Sequence, residues 1–208
     1  ITHIGLDISE NLAIENLMVI VHKAREVSRG ITIDMENSEL TDITLNIYKK
    51  TVAEFNQTGT VLQAYLFRSL DDLKNIDSPQ LKLRICKGIY REPPEIAFQT
   101  KEEIRNNFIT LVQTLLNGRG TAQIATHDPI IIDSLENWIE ENKIPPNRFE
   151  FQVLYGVPMG RKLEQLRDKG WTVRIYVPFG NQWFDYSVRR LKENPKIIGY
   201  VLGNLFKR

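Results

Sequence analysis

The segment TAQIATHDPIIIDSLENWIEEN (residues 121–142) joins a short strand pattern directly to a helix pattern. TAQIAT is typical of a strand, and DPIIIDSLENWIEEN is typical of a helix with Pro129 near its first turn, where proline is well tolerated. This strand-then-helix unit recurs along nearly the whole chain. Such a run predicts an α/β fold with a parallel sheet whose strands are separated by helices.

The other strand patterns are ITIDM, TVLQAYL, LKLRICKGIY, RFEFQVLYG and WTVRIYV, which gives about six strands in all. Two of the helix patterns, LAIENLMVIVHKAREVSRG and LTDITLNIYKKTVAEFNQTG, are expected to end at Gly30 and Gly59, because glycine favours helix ends. The remaining helix patterns are SLDDLKNI, KEEIRNNFITLVQTLLNG, MGRKLEQLRDKG and NQWFDYSVRRLKEN.

Two architectures fit this alternation, an open doubly wound sheet and a (β/α)8 barrel. No glycine-rich dinucleotide fingerprint opens any helix, which weighs against the doubly wound sheet. Barrel enzymes place their chemistry at the carboxyl ends of the strands, and several strands here end in polar residues: Asp34, Gln63, Lys87, His127 and Tyr176. A distorted TIM-type barrel is therefore favoured, although six units fall short of eight.

Composition excludes several classes of protein. Of 208 residues, 27 are basic and 26 acidic, so the basic surface typical of nucleic-acid binders is not expected. No apolar run approaches the roughly 20 residues that span a membrane. Cys86 is the single cysteine, which fits a reducing compartment. We expect a cytoplasmic protein, and peripheral contact at the inner membrane stays open. His3 and His22 stand in no metal-ligand spacing, so no metal site is expected.

Polar residues within the strand patterns are candidates for chemistry. Asp34 and Glu36 lie at the end of the strand pattern ITIDME, where one of them would point into a barrel mouth, or Asp34 caps the next helix. Arg84 and Lys87 interrupt the apolar strand LRICKGIY, and buried cations need an anionic or electron-rich partner. Thr126 and His127 lie between a strand and a helix N-terminus, a position that suits phosphate groups. Each also has a structural interpretation: a salt bridge, a snorkelling lysine or a loop hydrogen bond.

The segment DYSVRRLKEN (residues 185–194) places one polar face on a helix pattern. Tyr186, Arg189, Arg190 and Glu193 fall at positions i, i+3, i+4 and i+7. An exposed face with weak surface ion pairs explains this pattern. Two splayed guanidinium groups that bind anions by bidentate pairing explain it as well.

Taken in order from about residue 31 to residue 194, the motifs IDME, LQAY, LRICKGIY, ATHD, FEFQVLYG, IYVPFG and YSVRRLKEN resemble the proline dehydrogenase family. The segments DME and THIGLDIS resemble its monofunctional bacterial members most. The resemblance implies a distorted (β/α)8 barrel with non-covalent FAD. It also implies oxidation of L-proline to Δ1-pyrroline-5-carboxylate by hydride transfer from proline C5 to flavin N5, with electrons passed to a quinone.

The resemblance also implies roles for individual residues. Arg84 would lie near flavin N5, and Asp34 would hold the polar network beside it. The side chains expected to bind proline are Tyr90, Leu154, Tyr176 and Tyr186, with Arg189 and Arg190 gripping its carboxylate. The residues expected to contact FAD are Met35, Gln63, Arg84, Lys87, Gly88, Ile89, Thr126, His127 and Glu193, of which Gly88 would allow close backbone approach.

Two departures from the family pattern stand out. The family carries a further carboxylate-binding lysine shortly before a segment like THIGLDIS, and this chain begins at Ile1. We therefore expect residues 1–208 to form a single catalytic barrel domain that lacks its N-terminal helices and first strands. Arg91 also stands where bifunctional relatives have an aromatic residue.

Two alternatives from other classes remain open. An aldolase-like barrel would use Lys87 as an imine-forming nucleophile. A barrel-derived binding protein would have kept the shape without turnover.

Overall fold

The computed structural model describes residues 1–178 and 180 as six parallel strands that alternate with helices. The strands are β1 (Ile31–Ile33), β2 (Thr58–Gln63), β3 (Lys82–Cys86), β4 (Thr121–Ala125), β5 (Phe149–Leu154) and β6 (Val173–Tyr176). The α-helices are α1 (Glu10–Glu26), α2 (Thr41–Glu54), α3 (Ser69–Ile76), α4 (Lys101–Asn117), α5 (Pro129–Glu141) and α6 (Lys162–Asp168). Short 3₁₀ turns cover Thr2–Ile4, Ser38–Leu40 and Pro146–Arg148.

The strands follow one another in sequence order across the sheet, from β1 to β6, and every neighbouring pair is parallel. A doubly wound sheet reverses its strand order at a switch point, and this one does not. The arrangement is that of a curled, partial TIM-type barrel, and the predicted fold class is confirmed.

The two faces of the sheet differ in chemistry because successive side chains of a strand point to opposite faces. On the helix-covered face, apolar side chains such as Leu83, Ile85 and Phe151 are almost fully buried. The opposite face carries polar side chains at the alternate positions, among them Arg84 on β3 and Gln152 on β5. We call this second face the concave face.

The helix starts follow local sequence signals. Ser9 caps α1, and Thr100 forms a capping box with Glu103 at the start of α4. Asp128 caps α5, with Pro129 at the first helical position as predicted. Each cap satisfies backbone N–H groups that have no partner inside the helix.

Two predicted helix ends were wrong. Helix α1 ends at Glu26 rather than at Gly30, because Ser28 adopts a left-handed φ of 52° and Arg29 N–H then bonds Ala24 O at 2.9 Å. Gly59 lies inside β2, where a Cβ atom would stand 2.7 Å from Lys82 O of the neighbouring strand. That glycine therefore serves strand packing rather than a helix end.

None of the helices in residues 1–178 combines the length and apolar character that crossing a membrane requires.

Candidate active site

The strand ends bring most of the predicted site residues to one edge of the sheet. Because all six strands are parallel, their carboxyl ends meet at the same edge. The predicted residues that end or directly follow a strand are Asp34, Gln63, Lys87, Thr126, His127, Leu154 and Tyr176. The grouping that the sequence indicated is therefore present among the described residues.

Arg84 stands on the concave face with both sides of its guanidinium held. Its Nη1 donates to Asp34 Oδ1 at 2.5 Å, and its Nε donates to Gln152 Oε1 at 2.8 Å. The Arg84 side chain is 20% exposed, whereas that of Asp34 is 62% exposed. The sequence allowed two interpretations of Arg84, a salt bridge with a neighbouring acid and a role in the chemistry. The salt bridge is present, and its partner is Asp34.

Three polar side chains, Gln152, Glu150 and Arg174, form a hydrogen-bonded series that continues from Arg84, and the sequence did not predict it. We call this series the polar chain. Gln152 Nε2 donates to Glu150 Oε1 at 2.6 Å. Arg174 on β6 holds the same carboxylate with two bonds, of 2.7 Å to Oε1 and 2.8 Å to Oε2. The signal was available, because Glu150 and Gln152 alternate with apolar residues in FEFQVL just as Arg84 does in KLRIC.

Lys87 is paired with Asp128, a residue that was also overlooked. Asp128 Oδ2 accepts from Lys87 Nζ and, at 2.7 Å, from Arg105 Nε of α4. Burial raises the pKa of Asp128, but the hydrogen bonds from Arg105 and Lys87 outweigh it and lower the pKa overall. An imine-forming lysine must present a neutral amine, and a lysine held by an ionised carboxylate is not set up for that role.

Asp128 also changes the interpretation of Thr126. Its Oδ1 accepts from Ile130 N–H, and its own N–H donates to Thr126 Oγ1, both at 3.1 Å. The N-terminus of α5 therefore already carries a carboxylate, so this end of the helix is poorly suited to a phosphate group.

His127 links two strand ends. Its Nε2 accepts from Leu154 N–H at 2.8 Å, which leaves the ring proton on Nδ1. Burial lowers the pKa of His127, and the nearby Lys87 charge lowers it further. The ring is therefore neutral at pH 7, with an Nδ1–H group that can donate to a ligand.

Gln63 and Met35 are buried beside the strand ends. Gln63 is only 3% exposed, and its Nε2 donates to Glu36 O at 2.9 Å. Its Oε1 has no hydrogen-bond partner in the described part of the chain. Buried polar atoms seldom stay unpaired, so this oxygen is suited to accept from a ligand. Met35 belongs to the hydrophobic core.

The loop after β3 is shaped by Tyr65. Gly88 has a φ of 102°, and a Cβ atom there would stand 2.2 Å from the Tyr65 ring. Packing against this ring thus explains the glycine without any cofactor. Ile89 and Tyr90 follow on the loop and are both about half exposed.

Four predicted site residues, Tyr186, Arg189, Arg190 and Glu193, lie outside the described residues. Within residues 1–178, no three His, Cys, Asp or Glu side chains are grouped so that they could hold a metal ion.

Comparison with known proteins identifies the family of this chain. The profile of the family described as proline dehydrogenase matches residues 2–201. The chain belongs to this family.

Among curated members of the proline dehydrogenase family, the chain is 40% identical to proline dehydrogenase 1 of Bacillus subtilis subsp. natto, covering 100% of this chain and 68% of that protein. It is 36% identical to the proline dehydrogenase of Deinococcus radiodurans, covering 95% of this chain and 64% of that protein. The predicted resemblance to the monofunctional bacterial type is confirmed.

A solved structure gives the same fold. Proline utilization A from Bdellovibrio bacteriovorus, inactivated by N-propargylglycine, superposes with a TM-score of 0.80 at 26% identity. The match covers 91% of this chain and 22% of that one. The chain thus corresponds to about a fifth of that larger protein and about two thirds of the monofunctional relatives.

Proposed function

We propose that this chain oxidises L-proline to Δ1-pyrroline-5-carboxylate, with FAD bound at the carboxyl ends of the strands. The observation that carries the proposal is Arg84, a cation fixed by two partners on the concave face of a chain that belongs to the proline dehydrogenase family. When bound, FAD would supply the acceptor for the hydride that leaves proline C5.

The residues present fit a flavin in two respects. The unpaired, buried Oε1 of Gln63 can accept from a ring N–H, and the Nδ1–H of neutral His127 can donate. The other cofactor contacts proposed are Met35, Lys87, Gly88, Ile89, Thr126 and Glu193.

Arg84 provides charge where the reaction needs it. A fixed guanidinium stabilises negative charge as it develops, without reorganising during the reaction. Within residues 1–178, the hydrogen bonds of the Arg84 guanidinium use its Nε and Nη1, and we propose that its Nη2 edge faces the reactants. Asp34 keeps the cation in place and, being largely exposed, also takes part in the polar surroundings of the substrate.

The substrate would be held from several strands at once. Leu154 ends β5, Tyr176 ends β6, and Tyr90 follows β3 in the chain, and we propose that these three side chains contact the apolar ring. Tyr186 would add a further wall. The carboxylate would be bound by Arg189 and Arg190, on the basis of sequence alone. Bidentate pairing would fix the orientation of the ring.

The amine of proline must be neutral before it can lose a hydride from the adjacent carbon. We expect the rate of reduction to rise with pH through the pKa of the bound amine, with water as the proton acceptor. The electrons would then pass to a quinone, and peripheral membrane contact would give access to it.

The test is the visible absorption spectrum of the purified protein before and after anaerobic addition of L-proline. We expect a flavin spectrum that bleaches with L-proline and does not bleach with pyrrolidine, which lacks the carboxylate. A flavin spectrum that L-proline leaves unchanged would exclude L-proline as the substrate. A protein that binds no added FAD would reject the cofactor, and borohydride trapping at Lys87 would then test the imine alternative.

A further inference from the structure

Two members of the polar chain behind Arg84, Glu150 and Gln152, are buried, whereas the side chain of Arg174 is 61% exposed. Glu150 is 8% exposed and Gln152 is 6% exposed. Charged groups are rarely buried unless they are paired, and here Arg174 pairs with Glu150 through two bonds. The three residues have no role in the proposed chemistry, yet they lead directly to the cation on which it depends.

The chemistry of Gln152 explains the link. Its amide can present either its oxygen or its nitrogen to a given neighbour, and these two ends have opposite hydrogen-bonding roles. Burial raises the pKa of Glu150, but hydrogen bonds from Arg174 and Gln152 lower it overall. The Glu150 carboxylate is thus ionised at neutral pH and can only accept hydrogen bonds.

An acceptor at Glu150 leaves Gln152 one choice. Its Nε2 must turn towards Glu150, so its Oε1 must turn towards Arg84 Nε. With the opposite orientation, two oxygens would face each other at one end and two N–H donors at the other.

We infer that Glu150 is a positioning residue for Arg84, acting through the orientation of the Gln152 amide. Glu150 fixes the amide, the amide fixes the Nε side of the guanidinium, and Asp34 fixes the Nη1 side. The remaining edge of Arg84 is thereby held in one orientation on the concave face. The kinetic consequence of this inference rests on the proposed function, but the positioning itself does not.

The chain offers a matched control in Glu136 of α5. Its exposed fraction of 9% is similar to the 8% of Glu150, and it is paired with two basic side chains, Lys162 and Lys169, where Glu150 is paired with Arg174. Its helix lies away from the concave face. Glu136→Gln therefore repeats the loss of a buried, paired carboxylate without touching Arg84.

The first test measures hydrogen exchange at Arg84 Nε–H by NMR in the full chain, with the resonance assigned by its loss in Arg84→Lys. In Glu150→Gln the Nε2 of Gln152 loses its ionised acceptor and the amide is held more weakly, so we expect exchange to accelerate roughly fivefold or more. Gln152→Leu removes the acceptor and keeps the Glu150–Arg174 pair, and we expect roughly tenfold acceleration. Glu136→Gln should leave the exchange rate at the wild-type value.

If Glu150→Gln does not fold, Gln152→Leu decides whether the amide holds Arg84. Unchanged exchange in either variant would overturn the inference, as would equal acceleration in Glu136→Gln.

The second test follows anaerobic flavin reduction by L-proline in a double-mutant cycle. We expect Glu150→Gln to slow reduction several-fold in the wild-type background and to have no further effect when Arg84 is already methionine. An equal effect in both backgrounds would show that Glu150 does not act through Arg84. If wild-type protein is not reduced by proline, the proposed function fails and the exchange measurement still decides the positioning role.

Discussion

A Cβ atom on Gly88 would stand 2.2 Å from the ring of Tyr65, well inside van der Waals contact. Gly88→Ala must therefore displace the ring, in addition to adopting a φ of 102° that alanine avoids. We expect this variant to lose roughly 2–4 kcal/mol of unfolding free energy by chemical denaturation. Gly156→Ala is the control, since its φ of 84° is similar and nothing lies within 4 Å. Equal losses in the two variants would show that the Tyr65 ring moves aside freely.

Asp128 should make stability depend on pH. In the folded state the pKa of Asp128 is lowered from the usual 3.8. Its contribution to the free energy of unfolding is therefore complete above about pH 4 and is lost as the pH falls through the folded pKa. Asp128→Asn should cost roughly 1–2 kcal/mol at pH 7, because Lys87 and Arg105 lose their partner. Denaturant unfolding at pH 7 and pH 3 should show that this difference shrinks in acid.

The control for Asp128 is Asp133 on the same helix, which pairs with Lys162 but is 58% exposed. Asp133→Asn should change stability by less than about 0.5 kcal/mol. A difference between wild type and Asp128→Asn that persists unchanged at pH 3 would contradict the assignment.

His127 should be a neutral ring with its proton on Nδ1. Its pKa lies below the usual 6.5, so the unfolded chain binds a proton more readily than the folded chain in that range. The unfolding free energy should consequently fall as the pH drops below about 6.5, and His127→Gln should remove that part of the dependence. Long-range ¹H–¹⁵N spectra check the tautomer directly. An imidazolium, or a proton on Nε2, at pH 7 would refute the hydrogen bond to Leu154.

Removing the Arg84 charge should slow the chemistry more than it weakens binding. Arg84→Met should reduce the rate of anaerobic flavin bleaching by L-proline roughly 10²–10³-fold. The proline concentration at half-maximal rate should change much less. Arg174→Met removes the cation that pairs with Glu150 at the far end of the polar chain, and we expect the bleaching rate to fall clearly less than in Arg84→Met. Stopped-flow absorbance measures both the maximal bleaching rate and the proline concentration at half-maximal rate. A change in the half-maximal concentration alone would assign Arg84 to substrate binding instead.

Arg189 and Arg190 carry a prediction that rests on sequence resemblance. Changing either to methionine should raise the proline requirement sharply while flavin stays bound, since each would contribute to the carboxylate clamp. Titration of flavin bleaching with L-proline measures this. Unchanged proline affinity in both variants would exclude the clamp.

The sequence predicted the fold because its alternation is strong and local. Each βα unit carries its own signals, such as the Thr100 capping box and the Asp128–Pro129 start of α5. At Gly30 and Gly59 a Cβ atom would stand 2.8 Å from Gln57 O and 2.7 Å from Lys82 O, and a glycine that relieves such crowding looks the same in sequence as one that ends a helix. Only the three-dimensional neighbours distinguish the two.

The site was predictable where residues interrupt an apolar strand, as Arg84 does. The hydrogen-bond partners of such residues were not predictable where they lie far apart in sequence. Arg84 and Gln152 are separated by 68 residues and meet because the sheet places β3 and β5 on either side of β4. Asp128 was hidden for a different reason, because an aspartate before a helix is adequately explained as a cap.

The division between the two sheet faces has a consequence for protein engineering. In β3, β4 and β5 successive side chains point alternately towards the helices and towards the concave face. Libraries for new substrates would vary proposed substrate contacts such as Leu154 and Tyr176, keep Arg84 and Gln152 unchanged, and leave the helix-packed positions intact. Selection for a new activity and selection for thermal resistance could then proceed on separate residues of the same strands.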